Sequence, residues 1–211
     1  MLEIDQLEVH WKEVSLKYDF TVEVGEILTI QGRSGVGKTT LLNVIAGFEQ
    51  AAKGDVRWQG QSLLKLKVAK RPVCMLFQEH NLFEHLSVWQ NLQFGMDGSV
   101  SQATIDQRIR EGAAVLEVVD QLDKSPMKLS GGQRQRIALL RTLLRPEPIV
   151  LMDEPFAELD ATTRLIANDW VRKTAKKEGK TVLLVTHQDE DVARVGDRNL
   201  LLKQTLESIQ N

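Results

Sequence analysis

The chain has 211 residues, of which 42% are hydrophobic and 27% charged, and a net charge of −2; that is the size and balance of one large soluble globular domain. With a pI near 6.1, there is no electrostatic case for a nucleic-acid partner. A single cysteine rules out a disulfide framework within the chain and fits the cytosol, no apolar run approaches the ~20 residues that span a bilayer, and Met1 to Asp5 carry neither a basic region nor a cleavage signal.

In chain order, Leu2, Ile4, Leu7 and Val9 alternate with polar residues, and a second alternating stretch runs from Tyr18 to Val24. Both are predicted strands of an antiparallel edge sheet. After a turn at Gly25-Glu26, the apolar run 27–30 predicts a buried strand entering a glycine-rich loop. A short helix carrying Leu41, Leu42, Val44 and Ile45 then ends at Gly47. Residues 56–58 and 73–77 are further strand candidates, and Cys74 in the second is expected to be a buried thiol. Residues 86–145 read as mostly helical. One apolar pattern there runs through Ile105, Ile109, Val115, Leu116 and Val119, and another through Ile137, Leu140 and Leu144. The segment 145–148, with two prolines, stops the helix. A fully apolar strand 149–152 then reaches Asp153-Glu154. A helix carrying Leu165, Ile166, Trp170 and Val171 leads to another buried strand, 182–185, which ends at His187. Buried strands alternating with helices predict a parallel sheet covered on both faces, with the central helices as a second lobe.

The loop Gly32-Arg33-Ser34-Gly35-Val36-Gly37-Lys38-Thr39 lies between a predicted strand and a predicted helix, the setting a phosphate-binding loop requires. Its glycines let backbone N–H groups wrap phosphates, and the helix N-terminus adds a favourable dipole. Lys38 is expected to reach the β- and γ-phosphates and Thr39 to ligate Mg²⁺. Asp153, ending a buried strand, is expected to hold the metal, through water. Its neighbour Glu154 is the candidate general base, since the attacking water needs a carboxylate near the γ-phosphate. Taken alone, that pair would read as an acidic loop after a strand. His187 stands where a γ-phosphate sensor is expected, although a single His after a strand is more often an ordinary satisfied side chain. Gln78, ending the strand candidate 73–77, lies between the nucleotide motifs and suggests a γ-phosphate and Mg²⁺ contact.

The set Gly32–Thr39, Gln78, Leu129-Ser130-Gly131-Gly132-Gln133, Asp153-Glu154, Asp160 and His187 resembles, in order and over nearly the whole chain, the nucleotide-binding subunit of an ABC transporter. Leu129 to Gln133 matches that family's signature letter for letter. The resemblance implies one ATPase domain over 1–211. A P-loop NTPase core with a mainly parallel sheet, together with an N-terminal antiparallel β subdomain, would take about 1–78 and 146–211. A signature-bearing helical subdomain would take about 79–145. It also implies ATP and Mg²⁺ as ligands and a head-to-tail homodimer in which Ser130, Gly131, Gly132 and Gln133 of one copy cap the ATP held by the other. Ser130 and the two glycine N–H groups at a helix start make a plausible anion site, with a simple helix cap as the other reading of Ser130. Thr40 joins the phosphate loop by the same carry-over. Asp160 falls in the dimer-contact loop, where Glu158 replaces the usual small residue. Arg33 replaces a common Pro. Trp11 stands where the family carries the aromatic that stacks on adenine, with Tyr18 as second choice and a core Trp as the competing reading.

The run 75–83 and the segment 137–141 are similar to thiamine-type importer ATPases, as is the N-terminal spacing around Trp11 and Gly25-Glu26. This implies import of a small molecule, thiamine or a related compound, at the cytoplasmic face of the inner membrane. The partners would be an integral membrane permease and a periplasmic or extracellular solute-binding protein, with no nucleic acid. Residues 79–88 would then receive the permease's coupling helix, with Leu82 and Phe83 as anchors or as lobe packing. The chain stops soon after a strand at 199–202, so no C-terminal regulatory domain is expected. An export or lipoprotein-release ATPase would share every catalytic residue. A mechanical ATPase acting without a permease would call for a coiled-coil insertion or a second cassette, and neither is present.

Overall fold

Strand patterning sorts the chain into two sheets in a computed structural model that describes residues 1–10, 14–78, 82–96 and 98–203 in full, and the backbone alone of 11 and 207–208. The alternating N-terminal stretch forms β1 (Leu2–Trp11), paired antiparallel with β2 (Val14–Val22) on one side and β4 (Lys53–Trp58) on the other. Two short strands, β5 (Gln61–Ser62) and β10 (Glu207–Ser208), complete the order β10-β2-β1-β4-β5. Leu2, Ile4, Leu7 and Val9 are buried, but the face they share is kept only because the register shifts between Ile4 and Leu7. An uninterrupted period of two would put Ile4 and Leu7 on opposite faces.

The buried apolar runs make the second sheet, fully parallel in the order β6-β7-β8-β3-β9. Its strands are β3 (Ile27–Gln31), β6 (Val73–Leu76), β7 (Ile149–Asp153), β8 (Thr181–Val185) and β9 (Arg198–Leu201). Every residue of β7 and β8 is buried, as expected of strands covered on both faces. The helices are α1 (Lys38–Ala46), α2 (Val88–Gln93), α3 (Gln102–Val115), α4 (Gly131–Leu144), α5 (Ala161–Lys177) and α6 (Asp189–Val195). One core lies between the two sheets around α1, with Leu41, Leu42 and Ile45 against Ile30 and Leu151. The other joins the opposite face of the parallel sheet to α2, α3, α4 and α5.

Two expected patterns shift. The second strand begins at Val14 and ends at Val22, before Val24, which is exposed. Helix α3 ends at Val115, so Val119 belongs to a separate single turn, and both valines are about half exposed. The buried stripe of α3 is Ile105, Ile109, Gly112 and Ala113, and Leu116 joins the core just past the helix end. Gly112 fits there because a Cβ would stand 2.4 Å from Leu140 Cδ1. Among the described residues no helix is long and apolar enough to cross a membrane.

Candidate functional site

Four neighbouring strands of the parallel sheet deliver the chemistry at their carboxyl ends, which is where ligands bind in open α/β sheets. Gln78 follows β6, Asp153 ends β7 and Glu154 follows it, His187 follows β8, and the glycine loop follows β3. Residues distant in sequence are thus brought to one edge by strand order alone.

The loop is held from below. Tyr18 in β2 is buried, and its hydroxyl donates to the Gly37 carbonyl at 2.9 Å. Gly37 has φ +97°, and a Cβ there would lie 2.4 Å from the Tyr18 oxygen, so no other residue fits without displacing the support. Tyr18 is therefore not an adenine-stacking surface. Burial also pushes its phenol far above the ordinary range. Trp11 ends β1, but its side chain lies outside the described residues. Within the loop, Lys38 Nζ donates to the carbonyls of Gly32 (2.8 Å) and Arg33 (3.1 Å). Its ammonium is thereby held at the mouth of the loop. Desolvation lowers the Lys38 pKa, and Glu154 and Asp153 oppose that shift. Ser34, Gly35 and the Arg33 side chain are exposed, Val36 is buried, and Thr40 is half-buried.

Thr39 Oγ1 donates to Asp153 Oδ2 at 2.7 Å. Burial raises the Asp153 pKa, and this hydrogen bond pulls against the shift. Thr39, Asp153 and Gln78 line one open cavity of about 310 Å³. Its donors are a hydroxyl, a carboxylate and an amide, all hard oxygen ligands. Among the described residues no cluster of three His, Cys, Asp or Glu could hold a metal by itself. The donor set fits Mg²⁺, which takes one or two carboxylates, keeps waters and draws further oxygens from substrate phosphates. Glu154 has φ +50°, a left-handed backbone stabilised by its N–H bond to the Val185 carbonyl at 3.0 Å. Its carboxylate lies 2.9 Å from His187 Nε2, and both side chains stay partly exposed. Asp153 and Glu154 diverge: one turns down to Thr39, the other out to His187.

The family model described as ABC transporter matches residues 16–157. The chain belongs to the ABC transporter family. This ABC protein is an ATP-binding ATPase. It is 44% identical over 195 residues to the thiamine import ATP-binding protein ThiQ of Histophilus somni, covering 92% of this chain and 91% of that one. It is 40% identical over 203 residues to the ThiQ of Photorhabdus laumondii, covering 96% and 86%. Among solved structures, one described as the dimeric structure of a bacterial ABC transporter cassette superposes over 100% of both chains with a TM-score of 0.83 at 29% identity. A second, of a cassette in a post-hydrolysis state bound to ADP and phosphate, superposes equally well.

The signature of this ABC ATPase opens α4. Ser130 caps that helix: its hydroxyl accepts from the Gln133 N–H (3.3 Å), and the Gln133 side chain accepts from the Ser130 N–H (3.0 Å). Both side chains are thus engaged in a capping box, and Ser130 remains exposed. Glu158 packs directly on the signature. A Cβ on Gly131 would fall 2.0 Å from the Glu158 carboxylate, and one on Gly132 would fall 3.1 Å from its carbonyl. Asp160 caps α5, accepting from the Thr163 N–H (3.1 Å) and hydroxyl (2.7 Å), which lowers its pKa.

Beside Gln78 an aromatic groove of about 290 Å³ is lined by Phe48, Phe77, Phe83 and Phe94, with Arg141 and Arg145 at one side. Phe83 stacks edge-on against Phe94 at 4.9 Å between ring centres and lies under the Arg141 guanidinium. Leu82 instead packs against the core, so of the two expected anchors only Phe83 faces the groove. Residues 79–81 of that segment lie outside the described residues.

Sequence reasoning missed the polar groups that tie these parts together. Buried Gln135 in α4 donates to the Pro155 carbonyl at 2.6 Å, linking the signature helix to the turn after Glu154. Buried Asn91 pins the segment before α2 by accepting from the Phe83 N–H and donating to the Phe83 and Ser87 carbonyls. Each has polar neighbours in a helical stretch, and nothing in local spacing marks it as buried.

Proposed function

We propose that this ATPase powers a membrane permease that imports a small molecule, thiamine or a close relative, by closing as a head-to-tail homodimer on two ATP molecules. In this reading 1–211 is one ATPase domain with the helical lobe at about 79–145. The glycine loop from Gly32 through Thr40 cradles the phosphates, and Lys38 exchanges its carbonyl partners for phosphate oxygens. Ser130, Gly131, Gly132 and Gln133 present the start of α4 to the phosphate held by the other copy. Thr39, Asp153 and Gln78 would hold Mg²⁺, which neutralises charge on the phosphate oxygens. Glu154 takes a proton from the attacking water and His187 steadies it from 2.9 Å. Trp11 supplies the adenine stack. Closure is driven because the closed pair binds ATP better than ADP.

The observation that carries the chemistry is the delivery of all four groups by adjacent strand ends. The import reading is supported by the ThiQ relatives and the aromatic groove next to Gln78, a fit for an apolar permease segment at the cytoplasmic face of the inner membrane. The test is to purify the tagged protein from gently solubilised native membranes and assay its ATPase with thiamine. Co-purification of a multi-spanning permease with a solute-binding protein, and faster turnover with thiamine, is the expected result. A permease without a binding protein, and turnover indifferent to thiamine, would replace import with export. Recovery of soluble proteins alone would remove the transport reading and leave the ATPase.

A further inference from the structure

Behind the Glu154–His187 pair lies a buried polar cluster that none of the motifs explains. Asp191, in α6, is 1% exposed. Its Oδ2 accepts from the Thr186 hydroxyl at 2.6 Å, and its Oδ1 accepts from Asn168 Nδ2 in α5 at 3.0 Å. Arg164, also in α5, places Nε 3.7 Å from Asp191 Oδ1 and donates through Nη2 to the Phe156 carbonyl at 2.9 Å. The Thr186 hydroxyl accepts in turn from the Gln188 N–H at 3.1 Å, and the Thr186 N–H bonds the Ile30 carbonyl of β3. Both bonds flank His187. Glu154, Phe156, Arg164, Thr186, His187 and Asp191 line one small cavity of about 140 Å³.

One carboxylate therefore ties three things: the backbone on either side of His187, the helix α5, and, through Arg164, the loop that runs from Phe156 to Asp160. A buried charge is retained only when paired and hydrogen-bonded. The pairing here is incomplete: among the described residues, Arg164 Nε and Asn168 Oδ1 are the buried side-chain atoms that lack a hydrogen-bond partner. These are open positions in an otherwise hydrogen-bonded network.

We propose that Asp191, acting through Thr186 and Arg164, is a positioning group that sets His187 against Glu154 and links that geometry to the 156–160 loop. This rests on the reading of His187 as a group required for hydrolysis. Neither Asp191 nor Thr186 touches substrate; both act by fixing the chain on either side of one that does. A misplacement on the scale of 1 Å at a reacting centre costs up to about 100-fold in rate, so loss of the anchor should appear in kcat and leave nucleotide affinity intact.

The test uses the purified full-length chain with Mg-ATP and measures kcat, KM and nucleotide binding separately. Thr186→Val keeps the shape and removes the hydroxyl; Thr186→Ser keeps the hydroxyl. Thr186→Val should lower kcat by at least about tenfold with KM within about twofold, Thr186→Ser should retain turnover near the parent, and Asp191→Asn should match Thr186→Val. In single-turnover measurements, adding Thr186→Val to His187→Ala should slow the reaction no further, because both changes remove one function. Equal turnover for Thr186→Val and the parent, or equal losses in Thr186→Val and Thr186→Ser, would overturn the proposal. So would additive losses in the double variant. If His187→Ala itself keeps parental turnover, the underlying reading of His187 fails instead, and the two failures are told apart by that single control.

Discussion

Two helices in the chain start on glycines, and their starts are built differently. The glycine loop before α1 carries its own cation: Lys38 is held at the mouth by two loop carbonyls, and Tyr18 braces the loop from beneath. The signature before α4 also begins with a polar residue and glycines, but its polar side chains are already used to cap the helix, and an acidic side chain, Glu158, lies against Gly131. One site holds a cation, Lys38, facing the carboxylates of Asp153 and Glu154 within a single copy. The other offers backbone N–H groups and a helix dipole, with the Glu158 carboxylate packed on Gly131 and the Arg134 guanidinium turned to the Leu129 carbonyl. The asymmetry is what the proposed head-to-tail closure would call for.

The largest effect should come from the cationic side. Lys38→Ala should weaken ATP binding by on the order of 100-fold, since the phosphates lose a close charge partner in a desolvated place; titration with a fluorescent nucleotide measures this, and unchanged affinity would break the comparison at its stronger end. Next, Glu154→Gln should bind ATP but slow hydrolysis by about 100-fold or more, and it should accumulate as an ATP-bound dimer in size-exclusion chromatography. The signature side should respond with the opposite sign. On the proposed closure, Glu158→Ala clears the carboxylate packed on Gly131 and should tighten ATP-driven dimerisation several-fold, whereas Glu158→Gln should recover most of that gain if charge, and not bulk, is responsible. A dimer no tighter in either variant would show that Glu158 is no barrier. Smallest of all, Tyr18→Phe keeps the packing and deletes one hydrogen bond to the loop, a loss of about 1 kcal/mol. It should raise the KM for ATP a few-fold and leave kcat alone, and the same change should not touch dimerisation of an already saturated protein.

Much of the fold was legible because it depends on period and contiguity. The fully apolar runs 149–152 and 182–185 became the buried strands β7 and β8, and the glycine loop sat between a strand and a helix as its sequence requires. Less legible was anything set by partners far along the chain. The register shift near Gln6 follows from pairing with β2 and β4 together, and local alternation conceals it. The apolar valines at 115 and 119 looked like core but are exposed, because α3 stops at the first and its real contact stripe runs through Gly112 and Ala113, small residues with a weak hydrophobic signal. At the site, Lys38, Asp153, Glu154 and His187 are singled out by residue type in a setting, and strand order brings them to one edge, whereas Tyr18, second choice after Trp11 for the adenine stack, is buried under the loop. Its true place follows from the packing of β2 against the loop, which no spacing within β2 discloses. Gln135 and Asp191 were invisible for the same reason: their burial is decided by the turn at Pro155 and by α5, not by their neighbours in sequence.

Cys74 sits under α4 at 5% exposure, its thiol directed at the Thr142 carbonyl and pushed up to about 12 by burial. It is the chain's single cysteine, and a thiol so placed supplies almost no thiolate at neutral pH. The native protein therefore comes with a silent sulfur background. A cysteine introduced at Met127, which is 71% exposed just ahead of the signature, would be the one handle a maleimide dye or spin label could find. Two such labels, one on each copy, would turn the approach of the two cassettes into a distance that can be followed in real time.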